Sequence, residues 1–424
     1  MTAGPGALDA GDSIAPSGTR THDVVLYGAT GFVGTLVAGY LAEHAPTSTR
    51  IALAGRSRQR LEQVRATLPA AAAGWPLVVA DAADEEALAD LARSTRVVAT
   101  TVGPYLKYGL PLARACAAAG THYADLTGET LFARRLVDDC DEAAKATGAR
   151  LVPACGYDSV PSDLGVLLLH ERAESDGAGG LLDTTLLARA KGALSGGTID
   201  SSRTQVDAVT ADRRLLKVIF DPYALSPDRA AEPDVGRQRD PDSVFVDSET
   251  GQWVGPFVMA AFNTRIVRRS NALLHHAYGR GFRYRELNAY GRGLRGRRRA
   301  TLFSAGLGLA MKALAHPRTR PLVDRLAPKP GEGPDEQARA AGWFRMQLRT
   351  TTESGRRYLA VVGAQGDPGY AATAVMLGES ALCLALDDER LPAVAGVLTP
   401  ATAMGEVLVE RLRAQGFTLT VEEI

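Results

Sequence analysis

Residues 24–34 of the chain read VVLYGATGFVG, and the predicted fold follows from this stretch. An apolar run of strand character is followed by a glycine-rich turn and then by a helical segment. Glycines let the backbone approach a pyrophosphate, and a helix N-terminus offers that anion free N–H groups and a positive dipole end. The order of strand, turn and helix predicts a dinucleotide-binding unit rather than a purely structural turn. The predicted cofactor contacts in this turn are Gly28, Thr30, Gly31, Phe32, Val33 and Gly34.

Five more short apolar runs alternate with helical stretches up to about residue 165. Parallel strands need crossover connections, and right-handed crossovers place helices on both faces of a sheet. The sequence therefore predicts an α/β protein whose Rossmann-type, doubly wound parallel sheet occupies residues 22–180. Residues 1–21 are small and polar and lack the apolar segment of a secretory signal, which predicts a disordered tail.

The alternation of strands and helices breaks beyond residue 180. Residues 181–365 contain an apolar run at Leu186, a glycine-rich turn at 195–197, and a predicted hairpin with strands at 343–352 and 358–362. This pattern is typical of an inserted α+β domain, for which we expect a role in substrate binding or oligomerisation. Residues 366–424 return to helical spacing and are predicted to be helices that pack back on the Rossmann-type domain.

The end of the second predicted strand indicates which nicotinamide cofactor is used. NAD-dependent enzymes place an acid there to hold the ribose hydroxyls, whereas this chain has Gly55-Arg56-Ser57. The Arg56 guanidinium can bind a 2′-phosphate in a bidentate manner, and Ser57 can donate a hydrogen bond to the same phosphate. These residues predict NADPH as the cofactor. Asp81, after the third strand, is predicted to border the adenine pocket, although a helix N-cap explains it about as well.

The later strands of the predicted sheet end in polar loops that carry aromatic residues. Ligands of open α/β sheets lie at the carboxyl ends of the strands, so the loops at 101–109, 121–129 and 154–163 should line the cofactor crevice. Val102, Gly103 and Pro104 are predicted cofactor contacts. Hydride transfer also needs a proton donor. The candidates are Tyr105, Lys107, Tyr108, Tyr157 and Asp158, and we predict Tyr105, Tyr157 and Asp158 as catalytic, although each could instead only pack or cap a helix.

Composition limits the classes of partner and site. The 48 basic and 48 acidic residues give no global attraction to nucleic acid or to a membrane. The four cysteines and seven histidines show no metal-ligand spacing, which predicts no metal site and a reducing, cytoplasmic setting. No apolar window is long enough to predict a membrane span.

One local patch departs from the neutral balance. From Arg265 to Arg299 there are eleven arginines and a single acid, Glu286, and an apolar run at 302–309 follows. The patch is either a solvated basic face beside a core helix or a docking surface for an acidic carrier protein or an anionic lipid surface. In the second case the apolar helix would wall a substrate groove. Nucleic acid is a weaker option, because no groove-reading motif accompanies the arginines.

A set of motifs spread over the chain resembles a known family. In chain order they are LYGATGFVG, LAGRS, TTVGPYLKYGLPL, THYADLTGE, ACGYDSVPSDLG, SGG, FNTRIVRRSNAL and GVLTPATAMG. From residue 23 to the end, the chain resembles the saccharopine dehydrogenase-like family, and within it the actinobacterial trans-acting enoyl reductases. The resemblance implies NADPH-dependent reduction of an α,β-unsaturated polyketide or fatty acyl thioester in lipid biosynthesis, in trans to a polyketide synthase. It also agrees with the basic patch, since carrier domains are acidic.

Two other functions stay open at this point. A saccharopine-type dehydrogenase acting on an imine or amino acid should need basic groups inside the cleft to bind carboxylates. A non-catalytic NADPH-binding scaffold at a lipid surface would hold the cofactor without turnover. Peripheral membrane contact and a homo-oligomer also stay open.

Overall fold

The computed structural model describes residues 20–192, 196–316, 318, 319 and 333–424. Its first sheet is parallel, with the strand order β13-β6-β5-β4-β1-β2-β3. The order reverses next to β1, which is where an open parallel sheet forms a ligand crevice. The strands are β1 (His22–Tyr27), β2 (Ile51–Gly55), β3 (Leu77–Val79), β4 (Thr95–Thr100), β5 (His122–Asp125), β6 (Arg150–Val152) and β13 (Gly396–Val397).

Helices connect successive strands of this sheet, as the alternation predicted. They are α1 (Phe32–His44), α2 (Arg58–Thr67), α3 (Glu85–Ser94), α4 (Tyr105–Ala119) and α5 (Thr130–Thr147), whereas α6 (Val160–Ser175) leads from β6 into the second sheet. Val24, Val25 and Leu26 of β1 have no exposed surface, because helices cover both faces of a doubly wound sheet. The predicted Rossmann-type fold is confirmed.

The second sheet is mixed and follows the order β14-β12-β11-β7-β10-β9-β8. Only β7 and β10 pair in parallel, and the other neighbours are antiparallel. Its strands are β7 (Leu181–Lys191), β8 (Phe245–Val246), β9 (Trp253–Pro256), β10 (Arg283–Ala289), β11 (Trp343–Thr352), β12 (Arg357–Gln365) and β14 (Thr418–Glu423). Its helices are α7 (Gly196–Ala211), α8 (Leu216–Phe220), α9 (Ala260–Leu273), α10 (Gly293–Ala315) and α11 (Glu336–Ala340).

The expected elements of this second region are mostly present. The β11–β12 hairpin is confirmed, and Gly355 in its turn has a φ of 83°. The predicted glycine turn at 195–197 is wrong for Gly196 and Gly197, which begin α7, and Ser195 lies outside the described residues.

The C-terminal segment contributes to both sheets. Helix α12 (Thr373–Leu386) packs against α1 and the first sheet, and α13 (Pro400–Ala414) packs against α6 and α12. Within the described residues, Pro368–Leu386 is long and apolar enough to cross a membrane, and 78% of it is buried inside the fold. The segment was predicted as helices alone, but β13 extends the first sheet and β14 pairs with β12.

The predicted disordered tail needs a correction at its end. Residues 1–19 lie outside the described part of the chain, but Arg20 and Thr21 are held in place. The Arg20 guanidinium donates to the carbonyls of Ala92 (3.1 Å) and Ala119 (2.6 Å), near the ends of α3 and α4. Thr21 Oγ1 donates to the carbonyl of Ser94 at 3.0 Å. Carbonyls at helix C-termini have no hydrogen-bond donor within the helix, and the Arg20 and Thr21 side chains provide such donors.

Candidate active site

A cleft of about 1390 Å³ lies at the carboxyl ends of the first-sheet strands, with α7 as one of its walls. This volume exceeds the roughly 300–1,000 Å³ of an ordinary ligand pocket, so the cleft has room for a dinucleotide and a second ligand. Tyr105, Tyr157 and Asp158, the predicted catalytic residues, line it. The predicted cofactor contacts that line it are Gly28, Thr30, Gly31, Phe32, Val33, Gly34, Arg56, Asp81, Val102, Gly103 and Pro104. Ser57 is not among the lining residues.

The glycine turn has a shape that side chains would block. Gly28 has a φ of +89°, and a Cβ there would lie 2.7 Å from Val102 Cγ2 and 2.8 Å from Thr101 Oγ1. A Cβ on Gly34 would lie 2.1 Å from the Gly28 carbonyl oxygen. These contacts require glycine, because the turn packs directly on β4 and on the start of α1. Helix α1 has no side-chain cap and no acid in its first turn, so its N-terminus is open to an anion.

The neighbouring helix α4 offers no such anion site. The buried Glu129 carboxylate accepts hydrogen bonds from the backbone N–H groups of Tyr105 and Leu106, each at 2.8 Å. Burial raises the pKa of Glu129, although these hydrogen bonds oppose the rise. A carboxylate already neutralises the positive end of α4, so a pyrophosphate fits at α1 instead.

The adenosine end of the cleft carries two guanidinium groups. Arg56 follows β2, and Arg60 lies in the first turn of α2; both are exposed and line the cleft. Neither forms an ion pair with any residue that the structure describes. The sequence analysis missed Arg60, whose spacing of four residues from Arg56 was the available signal. Two free guanidinium groups, with no acid at the end of β2, fit the 2′-phosphate of NADPH.

Ser57 and Asp81 have local roles near this end. Ser57 Oγ accepts from Arg60 N at 3.4 Å as the N-cap of α2, so the structure gives it a capping role. The Asp81 carboxylate accepts from Ala83 N at 2.9 Å within a turn, whereas Asp84 is the N-cap of α3. The alternative reading of Asp81 as a helix N-cap is therefore wrong.

Tyr105 is held by backbone groups. Its hydroxyl donates to the Thr100 carbonyl at 3.1 Å and accepts from the Leu126 N–H at 3.2 Å. The side chain is only 5% exposed. Because its proton is engaged in a structural hydrogen bond between two loops, the geometry disfavours Tyr105 as a proton donor.

Asp158 has the environment of a general acid. It is half-buried and forms no hydrogen bond with any described residue, and burial raises its pKa to about 7. Its Oδ2 lies 3.0 Å from the position that a Cβ on Gly128 would take, so Gly128 leaves space for the carboxyl group.

The Tyr157 side chain beside it packs edge-to-face on Phe344, with ring centroids 5.1 Å apart. Burial raises the pKa of Tyr157, which keeps the phenol protonated.

The Asp125 carboxylate has a structural role. It accepts hydrogen bonds from Thr127 N, Ala154 N and the Tyr123 hydroxyl, so it holds the loops after β5 and β6 together.

One end of the cleft is apolar. Among the described residues, the only Lys or Arg side chains that line the cleft are Arg56, Arg60 and Lys107. Lys107 is exposed and lies over the Tyr108 ring, 5.1 Å from its centroid. Lys107 also interacts electrostatically with Asp200 of α7, so it is an exposed cation near the apolar side chains of that helix. The side chains that line the apolar end are Val206, Val209, Leu216, Ile219, Phe220, Val258, Met259, Phe262 and Met311.

Helix α7, which the sequence analysis did not foresee, forms part of this wall. Its Ser201 Oγ donates to Glu129 Oε1 at 2.6 Å, so the carboxylate that caps α4 also holds α7 over the cleft. The segment TIDSSRTQVDAVT is rich in β-branched and small polar residues, which gives little helical signal.

The arginine patch divides into a buried part and an exposed part. On α9, Arg265, Arg268 and Arg269 are at most 5% exposed. Their guanidinium groups donate to the carbonyls of Ile219, Pro222, Tyr284, Leu225 and Val397. The interpretation of the whole patch as a basic surface is therefore wrong for these three residues, because their guanidinium groups are buried and donate to backbone carbonyls. The arginines of α10 are exposed.

Comparison with known proteins identifies the domain that contains the glycine turn and the fold of the whole chain. Residues 24–152 match the family model described as the saccharopine dehydrogenase NADP binding domain. The chain is similar in fold to apo saccharopine dehydrogenase (L-Glu forming) from Saccharomyces cerevisiae, with a TM-score of 0.55 and 13% identity, covering 95% of this chain and 99% of that one.

Curated relatives match over almost the whole chain. A Mycobacterium tuberculosis protein provisionally named as a trans-acting enoyl reductase is 51% identical over 409 residues, covering 94% of this chain and 97% of that protein. A protein named trans-acting enoyl reductase from Mycobacterium ulcerans is 46% identical over 422 residues, covering 96% and 99%. The protein is an NADP-dependent oxidoreductase, and it belongs to the trans-acting enoyl reductases of the saccharopine dehydrogenase-like family.

Proposed function

We propose that the chain uses NADPH to reduce the α,β double bond of an apolar enoyl thioester. The supporting observation is the group of apolar side chains that lines the cleft together with Asp158. The only described Lys or Arg near them is Lys107, which is exposed and already interacts with Asp200. An acyl chain loses contact with water against these apolar side chains, which favours its binding. An amino-acid substrate of the saccharopine type would find only Lys107, among the described residues near these side chains, as a cationic partner for its carboxylates.

The residues that would hold the cofactor are those of the glycine turn and α1, with Arg56 and Arg60 at the 2′-phosphate. Bound NADPH supplies the hydride that adds to the β-carbon. As the π electrons of the double bond shift toward the thioester carbonyl, the α-carbon requires a proton.

Asp158 is the group we assign to that proton. With a pKa raised to about 7, its carboxyl group is about half protonated near neutral pH. The O–H bond breaks, its electron pair stays on the carboxylate, and a C–H bond forms at the α-carbon. Asp158 then regains a proton from water. Tyr157, which stays protonated, is the second candidate donor.

The proposed reaction also indicates a partner protein and a cellular compartment. We expect a substrate carried by a separate synthase, since the relatives are named as trans-acting enzymes. An acidic carrier domain is the expected vehicle, and the cytoplasm is the expected compartment. We also predict that the chain can form a homo-oligomer.

The test is NADPH oxidation with a trans-2-enoyl thioester, presented on an acyl carrier protein and on a small thiol, beside saccharopine. We expect turnover of the enoyl thioesters and none of saccharopine. Turnover of saccharopine alone would overturn the proposal. Tight NADPH binding without oxidation of any substrate would favour a non-catalytic scaffold instead.

A further inference from the structure

Helix α10 has an exposed apolar face, and no described part of the chain covers it. It packs through Gly296 and Ala300, and a Cβ on Gly296 would lie 3.3 Å from Trp253 Cδ1. The opposite face carries Leu294, Leu302 and Leu309, which are 73%, 74% and 70% exposed. Steps of eight and seven residues keep these three leucines on one side of the helix. Leucines this exposed on one helix face indicate an interaction surface.

The charge of the same segment has a single sign. Between Glu286 and Asp324 the sequence contains eight Lys and Arg residues and no acid. In α10 these are Arg295, Arg297, Arg298, Arg299 and Lys312, all of them exposed. Arg297 also lies over the Trp253 ring, 5.6 Å from its centroid. Leucines on a helix with several cations and no anion are typical of helices that lie in the interface of an anionic bilayer.

Helix α10 reaches the cleft through the side that lies opposite its exposed leucines, since Met311 is two residues from Leu309 and nine from Leu302. Met311, near the end of the helix, is 46% exposed and lines the apolar end of the cleft. Phe220 lines the same end and is 72% exposed. A membrane lying on the leucine face of α10 would therefore leave the cleft side of this helix uncovered.

We propose that α10 binds the surface of an anionic lipid bilayer, with Leu302 and Leu309 entering the interface and Arg295, Arg298 and Arg299 meeting the headgroups. The alternative occupant of this surface, an acidic carrier protein, would also be attracted by the arginines. The lipid is favoured because the three exposed leucines need an apolar environment that a charged protein surface supplies less well. This inference concerns binding and holds whether or not the proposed reaction is correct.

The experiment is co-sedimentation of the full chain with vesicles of phosphatidylcholine that contain phosphatidylglycerol, compared with phosphatidylcholine alone. We expect binding to the mixed vesicles, weaker binding at high salt, and little binding to the neutral ones. Leu302→Asp and Leu309→Asp should each weaken binding about tenfold or more. Arg298→Glu should weaken it roughly fivefold or more. Because these side chains are exposed, the variants should keep the thermal unfolding midpoint of the parent protein.

Matched controls are Val394→Asp and Arg135→Glu, which change an exposed apolar and an exposed basic residue elsewhere. Both should bind vesicles like the parent chain. The proposal is overturned if the parent chain does not bind the mixed vesicles, or if the α10 variants bind them as well as the controls do. It is also overturned if α10 variants raise KM only for a carrier-bound thioester, since the surface would then serve a carrier protein.

Discussion

At the scale of single residues, Asp158 has an environment that is unfavourable for stability and useful for chemistry. Its carboxyl group is half-buried without a hydrogen bond from any described residue, so the native state favours the protonated form. With a pKa raised from 3.8 to about 7, the native state binds more protons than the unfolded state between these values. The free energy of unfolding should therefore fall as the pH rises from about 4 to about 7.

Substitution of Asp158 by Asn should separate its effect on catalysis from its effect on stability. Asp158→Asn removes the proton donor, so kcat should fall roughly 100-fold or more, while the Kd of NADPH stays unchanged. In the parent enzyme, kcat should decline as the pH rises above about 7, and the variant should lose this dependence. The thermal midpoint of the variant should exceed that of the parent at pH 8 but not at about pH 4.

The matched control is Asp90→Asn, at an exposed position on α3. It should leave both kcat and its pH profile unchanged. A kcat for Asp158→Asn within about twofold of the parent would remove Asp158 from the catalytic step and leave Tyr157 as the candidate.

The two arginines at the end of β2 give a second residue-scale prediction. Arg56→Glu and Arg60→Glu should each raise KM for NADPH about tenfold or more, because each removes a charge-assisted contact with the 2′-phosphate. KM for NADH should change much less. Arg58→Glu is the control, since Arg58 is exposed on the same helix but does not line the cleft. Equal changes in KM for both cofactors would exclude these residues from 2′-phosphate binding.

Sequence reasoning located residues best where a local rule applies. Gly28 and Gly34 were predicted at the cleft because the strand–turn–helix order fixes their positions. Arg56 was predicted there because it stands at the end of the second strand, where NAD-dependent enzymes have an acid. The role of Glu129 was not found, since its two partners, α4 and Ser201, lie far apart in the sequence. The hydrogen bonds of Tyr105 were hidden for the same reason, so its structural role was indistinguishable from a catalytic one.

At the scale of elements, Glu129 connects the N-terminus of α4 to the helix that covers the cleft. Ser201→Ala removes the hydrogen bond that holds α7, and we expect a loss of about 1 kcal/mol in the free energy of unfolding. Because α7 lines the substrate end, KM for the enoyl thioester should rise while the Kd of NADPH changes little. Urea unfolding and steady-state kinetics check the two parts.

Thr204→Val is the control for this element, because Thr204 Oγ1 donates to the Asp200 carbonyl within α7 itself and Thr204 does not line the cleft. A Ser201→Ala protein that matches Thr204→Val in both measurements would contradict a tethering role for Ser201. The helix itself was missed because its composition favours caps and turns, so its helicity depends on tertiary contacts.

At the scale of the whole molecule, buried cations join distant segments. The Arg269 guanidinium donates to the Leu225 carbonyl at 2.6 Å and to the Val397 carbonyl of β13 at 2.5 Å. Arg269→Met should therefore lower the free energy of unfolding by about 3 kcal/mol, since it leaves buried carbonyls without donors. Arg298→Met, at an exposed position on α10, should change it by less than about 0.5 kcal/mol. Similar values for both variants in urea unfolding would contradict this division of the arginine patch.

The sequence predicted the parts of the fold in which each strand has a recognisable pattern of its own. The parallel sheet was recognised because strands buried on both faces give continuous apolar runs separated by helices. Strand β14 was missed because Thr418–Glu423 contains few apolar residues. Its partner strand, β12, also lies more than fifty residues earlier in the sequence. The apolar end of the cleft was also unforeseen in detail, because its side chains come from four separate segments: α7, α8, the start of α9, and α10.

The central claim is that this cleft reduces an enoyl thioester with NADPH, and isotope tracing tests it most directly. The protein is incubated with a trans-2-enoyl thioester and NADPH deuterated at the transferable position, and in a second reaction with unlabelled NADPH in D₂O. We predict a saturated thioester with deuterium at the β-carbon in the first reaction and at the α-carbon in the second. Saturated product without cofactor-derived deuterium at the β-carbon, or no saturated product while NADPH remains bound, would contradict the account.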